Sequence, residues 1–71
     1  MHIKFTYHAQ FRLHERKFTT EQMKSVILNP DFTRQTVDGK IVSKKKFNND
    51  TLEVVYIIRR GVYIIITVYF N

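Results

Sequence analysis

His8, Arg12 and Arg16 stand at i, i+4 and i+8, a spacing that lines three side chains along one side of a helix with a modest angular drift. An imidazole beside two guanidiniums suits a phosphodiester. Arginine grips phosphate oxygens in a two-pronged fork and stabilises the charge that grows in a transition state, while histidine moves a proton near neutral pH. On RNA the chemistry would be attack of a 2′-hydroxyl on the adjacent phosphorus. One group removes a proton and another donates one to the leaving oxygen, with no metal and no cofactor. The plainer reading of the same residues pairs Glu15 with Arg12 at i, i+3, leaves Arg16 in water and has His8 cap the helix or pack against a sheet. His14 and His2 are weaker candidates for proton transfer, since a histidine among charged neighbours is more often surface than site.

A second basic element is Lys44-Lys45-Lys46. If it lies in a strand, alternation sends Lys44 and Lys46 to one face and Lys45 to the other. With Lys40 on the same face and Arg34 on the hairpin partner, these side chains can track a nucleic-acid backbone. The competing explanation is that lysines keep an edge strand from pairing with other chains. Near the C-terminus, Tyr63, Thr67 and Tyr69 fall on the less apolar face of a strand. A tyrosine can stack on a base, and a phenol beside cations can act as an acid. Tyr69 therefore joins His8, Arg12 and Arg16 as a candidate catalytic residue, and Lys44, Lys46, Arg34 and Lys40 are candidates for binding nucleic acid.

The elements that must position these residues follow from pattern. Ile3 to Phe5 reads as a short strand, and Thr6 as the N-cap of a helix running to about Arg16. Thr19 and Gln22 have the form of a capping box. Met23, Val26 and Ile27 then recur at helical spacing until Asn29-Pro30 stops the helix. From Phe32 the pattern turns to β: Phe32 to Val37, an Asp38-Gly39 turn, Lys40 to Phe47, an Asn48-Asn49-Asp50 turn, Leu52 to Arg59, an Arg60-Gly61 turn, and Val62 to Phe70. The expected fold is α+β: a short N-terminal strand, two helices and a four-stranded antiparallel meander, with the helices on one face. Val62, Ile64, Ile66, Val68 and Phe70 are expected under the helices. Tyr63, Ile65, Thr67, Tyr69 and Asn71 are expected on the other side.

Composition sets the outer bounds. The 71 residues make one domain, residues 1–71, and its stability should be modest. No cysteine is present, which excludes disulfides, thiolate metal sites and cysteine nucleophiles and fits a reducing, cytoplasmic setting. The longest apolar stretch is about half of the ~20 residues that a membrane-spanning helix needs, so no membrane association is expected. Twelve Lys and Arg against six Asp and Glu give a net charge of +6, which draws polyanions. No phosphate-cradling glycine loop, His-Glu-x-x-His motif or acidic cluster for Mg²⁺ appears, so no metal is expected. A monomer and a homodimer are equally compatible with the sequence.

The stretch FTYHAQFRLHERKFTTEQMKSVILNPD, the basic hairpin after it and the closing VYIIITVYF resemble a family of small bacterial and phage domains of unknown function that is grouped with the RelE/ParE-like toxins. The family features fall on His8-Ala9, Arg12, Glu15-Arg16 and Thr67-Val68-Tyr69. The resemblance implies a sheet with two helices on one face and a ribonuclease toxin held by an antitoxin protein, with RNA, often ribosome-bound, as the target. The ParE branch of the group acts on gyrase instead. The leading expectation is thus a metal-independent endoribonuclease. The alternatives are a non-catalytic module that binds nucleic acid or protein, and a toxin that grips a protein through its open sheet face.

Overall fold

The computed structural model describes residues 1–70. In chain order its elements are β1 (His2–Phe5), α1 (Tyr7–Glu15), α2 (Thr20–Leu28), β2 (Phe32–Gln35), β3 (Ile41–Phe47), β4 (Asp50–Arg59) and β5 (Val62–Phe70). The α+β class holds, with both helices ahead of the main run of strands. The five strands form one sheet in the order β1-β5-β4-β3-β2. β2 to β5 are joined as antiparallel neighbours, whereas β1 pairs with β5 in parallel. The first strand thus makes the sheet five-stranded and mixed, where a four-stranded antiparallel meander was expected. Return from β1 to a parallel neighbour requires a long crossover, and α1 and α2 lie within it.

Both helix starts are fixed by the residues the sequence marks. Thr6 has extended backbone, and its Oγ1 accepts from the Ala9 N–H at 3.2 Å. Thr19 and Gln22 make the reciprocal capping box, with bonds of 2.9 Å and 3.1 Å. Each cap of this kind is worth about 1 kcal/mol. α1 ends at Glu15 with Arg16 as its C-cap, and Lys17 then turns the chain with φ of 60°.

Ala9 and Leu13 of α1 and Met23, Val26 and Ile27 of α2 close over Leu52, Val54, Tyr56, Ile65 and Val68 of the sheet. Full burial of a side chain such as Met23 or Leu52 contributes about 1.5–3 kcal/mol. Phe18, in the turn between the helices, stacks on Phe70 at 5.2 Å and meets Phe47 edge-on at 5.9 Å. Ser43 is fully buried on this side, with its hydroxyl 3.1 Å from that of Thr33 and 3.4 Å from that of Tyr56.

The facing of β5 differs from strict alternation. Val55 pairs with Thr67 and Tyr56 with Ile65, so Ile66 is an extra residue without a partner on β4. A bulge of this kind reverses the parity of every residue beyond it. Before it, Tyr63 and Ile65 pack against the helices; after it, Val68 and Phe70 do. Val62 and Ile64 sit instead opposite Arg59 and Ile57, on the face away from the helices. Tyr63 therefore does not share a surface with Thr67 and Tyr69, and its ring lies 5.7 Å from that of Tyr56. Asn71 lies outside the described residues.

Strand limits shift slightly as well. β2 stops at Gln35, and Val37 is fully exposed in the turn. Asp50 opens β4, which leaves Asn48-Asn49 as the turn, with Asn48 at φ 53°. Arg60 and Gly61, at φ 51° and 77°, form the left-handed pair that a tight hairpin requires.

Two predictions follow from this frame. The Thr67 hydroxyl is buried without a partner among the described residues, so Thr67→Val is expected to raise the unfolding free energy by about 1 kcal/mol. A lower urea midpoint for the variant would contradict this. In the β2–β3 turn, hydrogen bonds from Lys40 and then Thr36 lower the Asp38 carboxyl from 3.8 to about 2. A depressed carboxylate stabilises the turn fully above its ordinary value, and that contribution is lost as pH falls through about 2. In an NMR titration, Lys40→Ala should return the Asp38 midpoint towards 3.8.

Candidate active site at the α1–β5 seam

β1 ends beside Ile65, so the rest of β5 has no strand on that side, and α1 takes the place of one. The Thr6 N–H donates to the Ile65 carbonyl at 3.1 Å and the Thr6 hydroxyl to the Ile66 carbonyl at 2.8 Å. Farther along, Arg12 Nε donates to the Val68 carbonyl at 2.7 Å. The helix is thereby tied to a strand edge, by a hydroxyl at its first turn and a guanidinium at its second.

That guanidinium is half-buried and lies 5.5 Å from the centre of the Tyr69 ring and 5.9 Å from that of Phe70. Tyr69 and Phe70 project from opposite faces of the sheet, so Arg12 straddles the edge and touches both. Arg16 is exposed, with its guanidinium 5.1 Å from the Phe70 ring. Cation–aromatic contacts of this kind contribute about 0.5–1 kcal/mol at exposed sites and hold the cation in place. His8 is exposed one turn before Arg12. The i, i+4 relation puts it on the same flank of the helix, rotated somewhat towards solvent.

Arg12 thus lies beside both Tyr69 and Phe70, Arg16 lies beside Phe70 on the helix face, and His8 stands one turn before Arg12 on the same helix flank. Nε of Arg12 is committed to the protein, and the terminal nitrogens of its fork retain their donors. The Glu15–Arg12 pair of the plainer reading is not among the ion pairs of the described residues, which join Glu21 to Lys24, Asp38 to Lys40 and Glu53 to Lys44. His14 faces the far side of α1, in a depression with Phe5, Leu13 and Phe18. His2 is opposite Val62. Neither reaches the seam.

The basic candidates divide. In the register of the sheet Arg34 is opposite Val42, next to Lys44 and Lys46 on the face away from the helices. Lys40, in contrast, is held 2.8 Å from Asp38 in its turn. Lys45 points to the helix side and donates to the Asn29 carbonyl at 2.8 Å. Lys44 lies 3.5 Å from Glu53 and 5.9 Å from the Phe32 ring. Phe32 and Glu53 were not singled out from sequence, although Glu53 was within reach: counting back from the Asn48-Asn49 turn puts it opposite Lys44.

The described residues contain no group of three or more His, Cys, Asp or Glu arranged to hold a metal ion. No described helix is long and apolar enough to cross a membrane.

A family model covers residues 5–70, the last residue of β1 to the last of β5, and is described as a domain of unknown function, DUF4258. The chain belongs to that family. Among curated proteins and among solved structures, none matches this DUF4258 chain. The match takes in the α1 cations and Thr67-Val68-Tyr69 together, so the whole seam lies inside the DUF4258 unit.

The tether of Arg12 and the freedom of Arg16 separate the two by stability. Arg12→Ala is expected to lower the unfolding free energy by about 1.5–3 kcal/mol, the usual worth of a charged hydrogen bond. Arg16→Ala should lower it by about 0.5–1 kcal/mol. Urea denaturation of both variants checks the difference, and equal losses would refute the tether.

Proposed function

We propose that this DUF4258 domain is a metal-independent endoribonuclease of RelE-like type, acting on RNA phosphodiesters at the α1–β5 seam. The observation that carries the reading is the Arg12 guanidinium held between the Val68 carbonyl and the Tyr69 ring. It joins the helix flank that bears the imidazole to the strand end that bears the phenol. The net charge of +6 supports the same reading, since it favours encounter with a polyanion.

In this reading Arg12 and Arg16 hold the non-bridging oxygens of the scissile phosphate and offset the added charge of the pentacoordinate transition state. His8 takes the proton of the 2′-hydroxyl, and the oxygen attacks phosphorus. The bond from phosphorus to the 5′-oxygen breaks, and the Tyr69 hydroxyl supplies the proton that this oxygen needs. The products are a 2′,3′-cyclic phosphate and a 5′-hydroxyl, and no electron transfer or metal enters. Lys46 and Arg34 contact flanking phosphates, and Lys44 contacts the RNA beside them. An antitoxin partner, implied by the RelE/ParE resemblance, would cover the same cations.

Cleavage of ribosome-bound and free RNA, in the presence of a chelator, tests the proposal. His8→Ala and Tyr69→Phe should each lower kcat by about 10²-fold or more, and ends should be cyclic phosphate and 5′-hydroxyl. Intact RNA under all these conditions, together with equal harmlessness of wild type and His8→Ala in cells, would overturn it. RNA binding that survives without any cleavage would identify a non-catalytic module instead.

A further inference from the structure

On the open face, pairing aligns Phe32 with Lys44, Lys44 with Glu53 and Glu53 with Tyr69. One row of side chains therefore crosses four strands and ends at Arg12. Adjacent strands are about 4.8 Å apart, so the row is about 14 Å long. Its two ends are aromatic and half exposed: Phe32 at 52% and Tyr69 at 46%. Its middle is an ammonium beside a carboxylate, at 3.5 Å, with the Lys44 side chain 40% and the Glu53 side chain 17% exposed. Lys46, Arg34, Lys4 and Arg59 share the same face by register, and Glu53 is the one carboxylate on it among the described residues.

A carboxylate at the centre of a cationic surface weakens attraction for a polyanion, so its presence there asks for a local reason. Pairing with Lys44 alone leaves most of its acceptor positions unfilled, because an ionised carboxylate has two oxygens and about four lone-pair sites. Nucleobases have edges that such a pair can read. An unpaired guanine presents two neighbouring donors, N1–H and the N2 amino group, followed by the O6 acceptor. Adenine, cytosine and uracil have no such pair of adjacent donors. A carboxylate takes both guanine donors in a fork while the neighbouring ammonium donates to O6. Aromatic rings at the ends of the row supply faces on which bases stack whatever their identity.

Resting on the proposed RNA reading, we infer that the Lys44–Glu53 pair is a guanine-selective subsite for single-stranded RNA, framed by Phe32 and Tyr69. Glu53 accepts from N1–H and N2–H, Lys44 donates to O6, and Phe32 stacks a neighbouring base. The strand then leads to the phosphate held at Arg12. Double-stranded RNA is excluded, because pairing occupies the edge that Glu53 reads. The carboxylate serves selectivity at some cost in electrostatic attraction, and the cations around it restore the affinity.

Binding of fluorescein-labelled 2′-O-methyl oligonucleotides, followed by fluorescence anisotropy, tests this apart from catalysis, since the methylated oxygen cannot attack phosphorus. For the wild-type chain an oligomer with a single guanine in a uridine tract should bind about tenfold more tightly than the same oligomer with inosine, which lacks the N2 amino group. Glu53→Gln should reduce that ratio towards one, whereas Lys44→Ala should weaken both oligomers, since inosine keeps O6. Phe32→Ala should weaken both oligomers equally, and thermal melts of the variants confirm their folding. Equal affinity for the two oligomers, or an unchanged ratio in Glu53→Gln, overturns the inference. If RNA is cleaved with no preference at guanine, the ribonuclease stands and the subsite falls. If guanine is preferred but no RNA is cleaved, the subsite stands and the catalytic reading falls.

Discussion

The structure depends on how the exposed carbonyls of β5 are satisfied. A strand with no neighbour on one side along half its length leaves backbone acceptors that must find donors or water. Here Thr6 and Arg12 supply them at Ile65, Ile66 and Val68. The same bonds set the distance of α1 from the sheet, its angle along β5 and the place of its cationic flank. Had a further strand covered that edge, Arg12 would have no carbonyl to reach, and the helix flank would face away from Tyr69.

The bulge at Ile66 works with this tether. It turns Tyr63 into the core and releases Thr67 and Tyr69 to the opposite side, while Phe70 stays under Phe18. Two successive residues, Tyr69 and Phe70, then flank the sheet edge from its two faces, and the Arg12 guanidinium has an aromatic ring on each side. A regular strand would carry the parity of Tyr63 and Ile65 to its end and put Thr67 and Tyr69 under the helices. One inserted residue thus joins a packed interior to an accessible phenol.

Much of the architecture was legible where a residue type has one local meaning. Thr6, Thr19 with Gln22, Asn29-Pro30 and Arg60-Gly61 each mark a boundary through caps and turns, and each boundary stands within a residue or two. The parallel pairing of β1 was not legible, because nothing in four residues names a partner 60 positions away. The bulge was hidden for a related reason. VYIIITVYF is apolar on nearly every position, so its alternation fits either parity, and only packing against the helices selects one. The cations on α1 could be aligned from spacing, but the Val68 carbonyl could not be found, since a backbone acceptor leaves no mark in a sequence. The Lys40–Asp38 pair was within reach of the sequence, since a carboxylate two residues before a lysine faces it across a tight turn.

The parallel union of β1 with β5 also orders events in time. β1, α1 and α2 are made before β4 and β5, and their apolar sides wait for those strands. The sheet gains its central ladder only when β4 and β5 are both available, and Arg12 meets its acceptor 56 residues downstream. Contacts of such sequence separation slow folding and prolong the life of incomplete forms. A nascent chain is therefore without the completed seam until β5 has been made, a delay built into topology and not into any inhibitor.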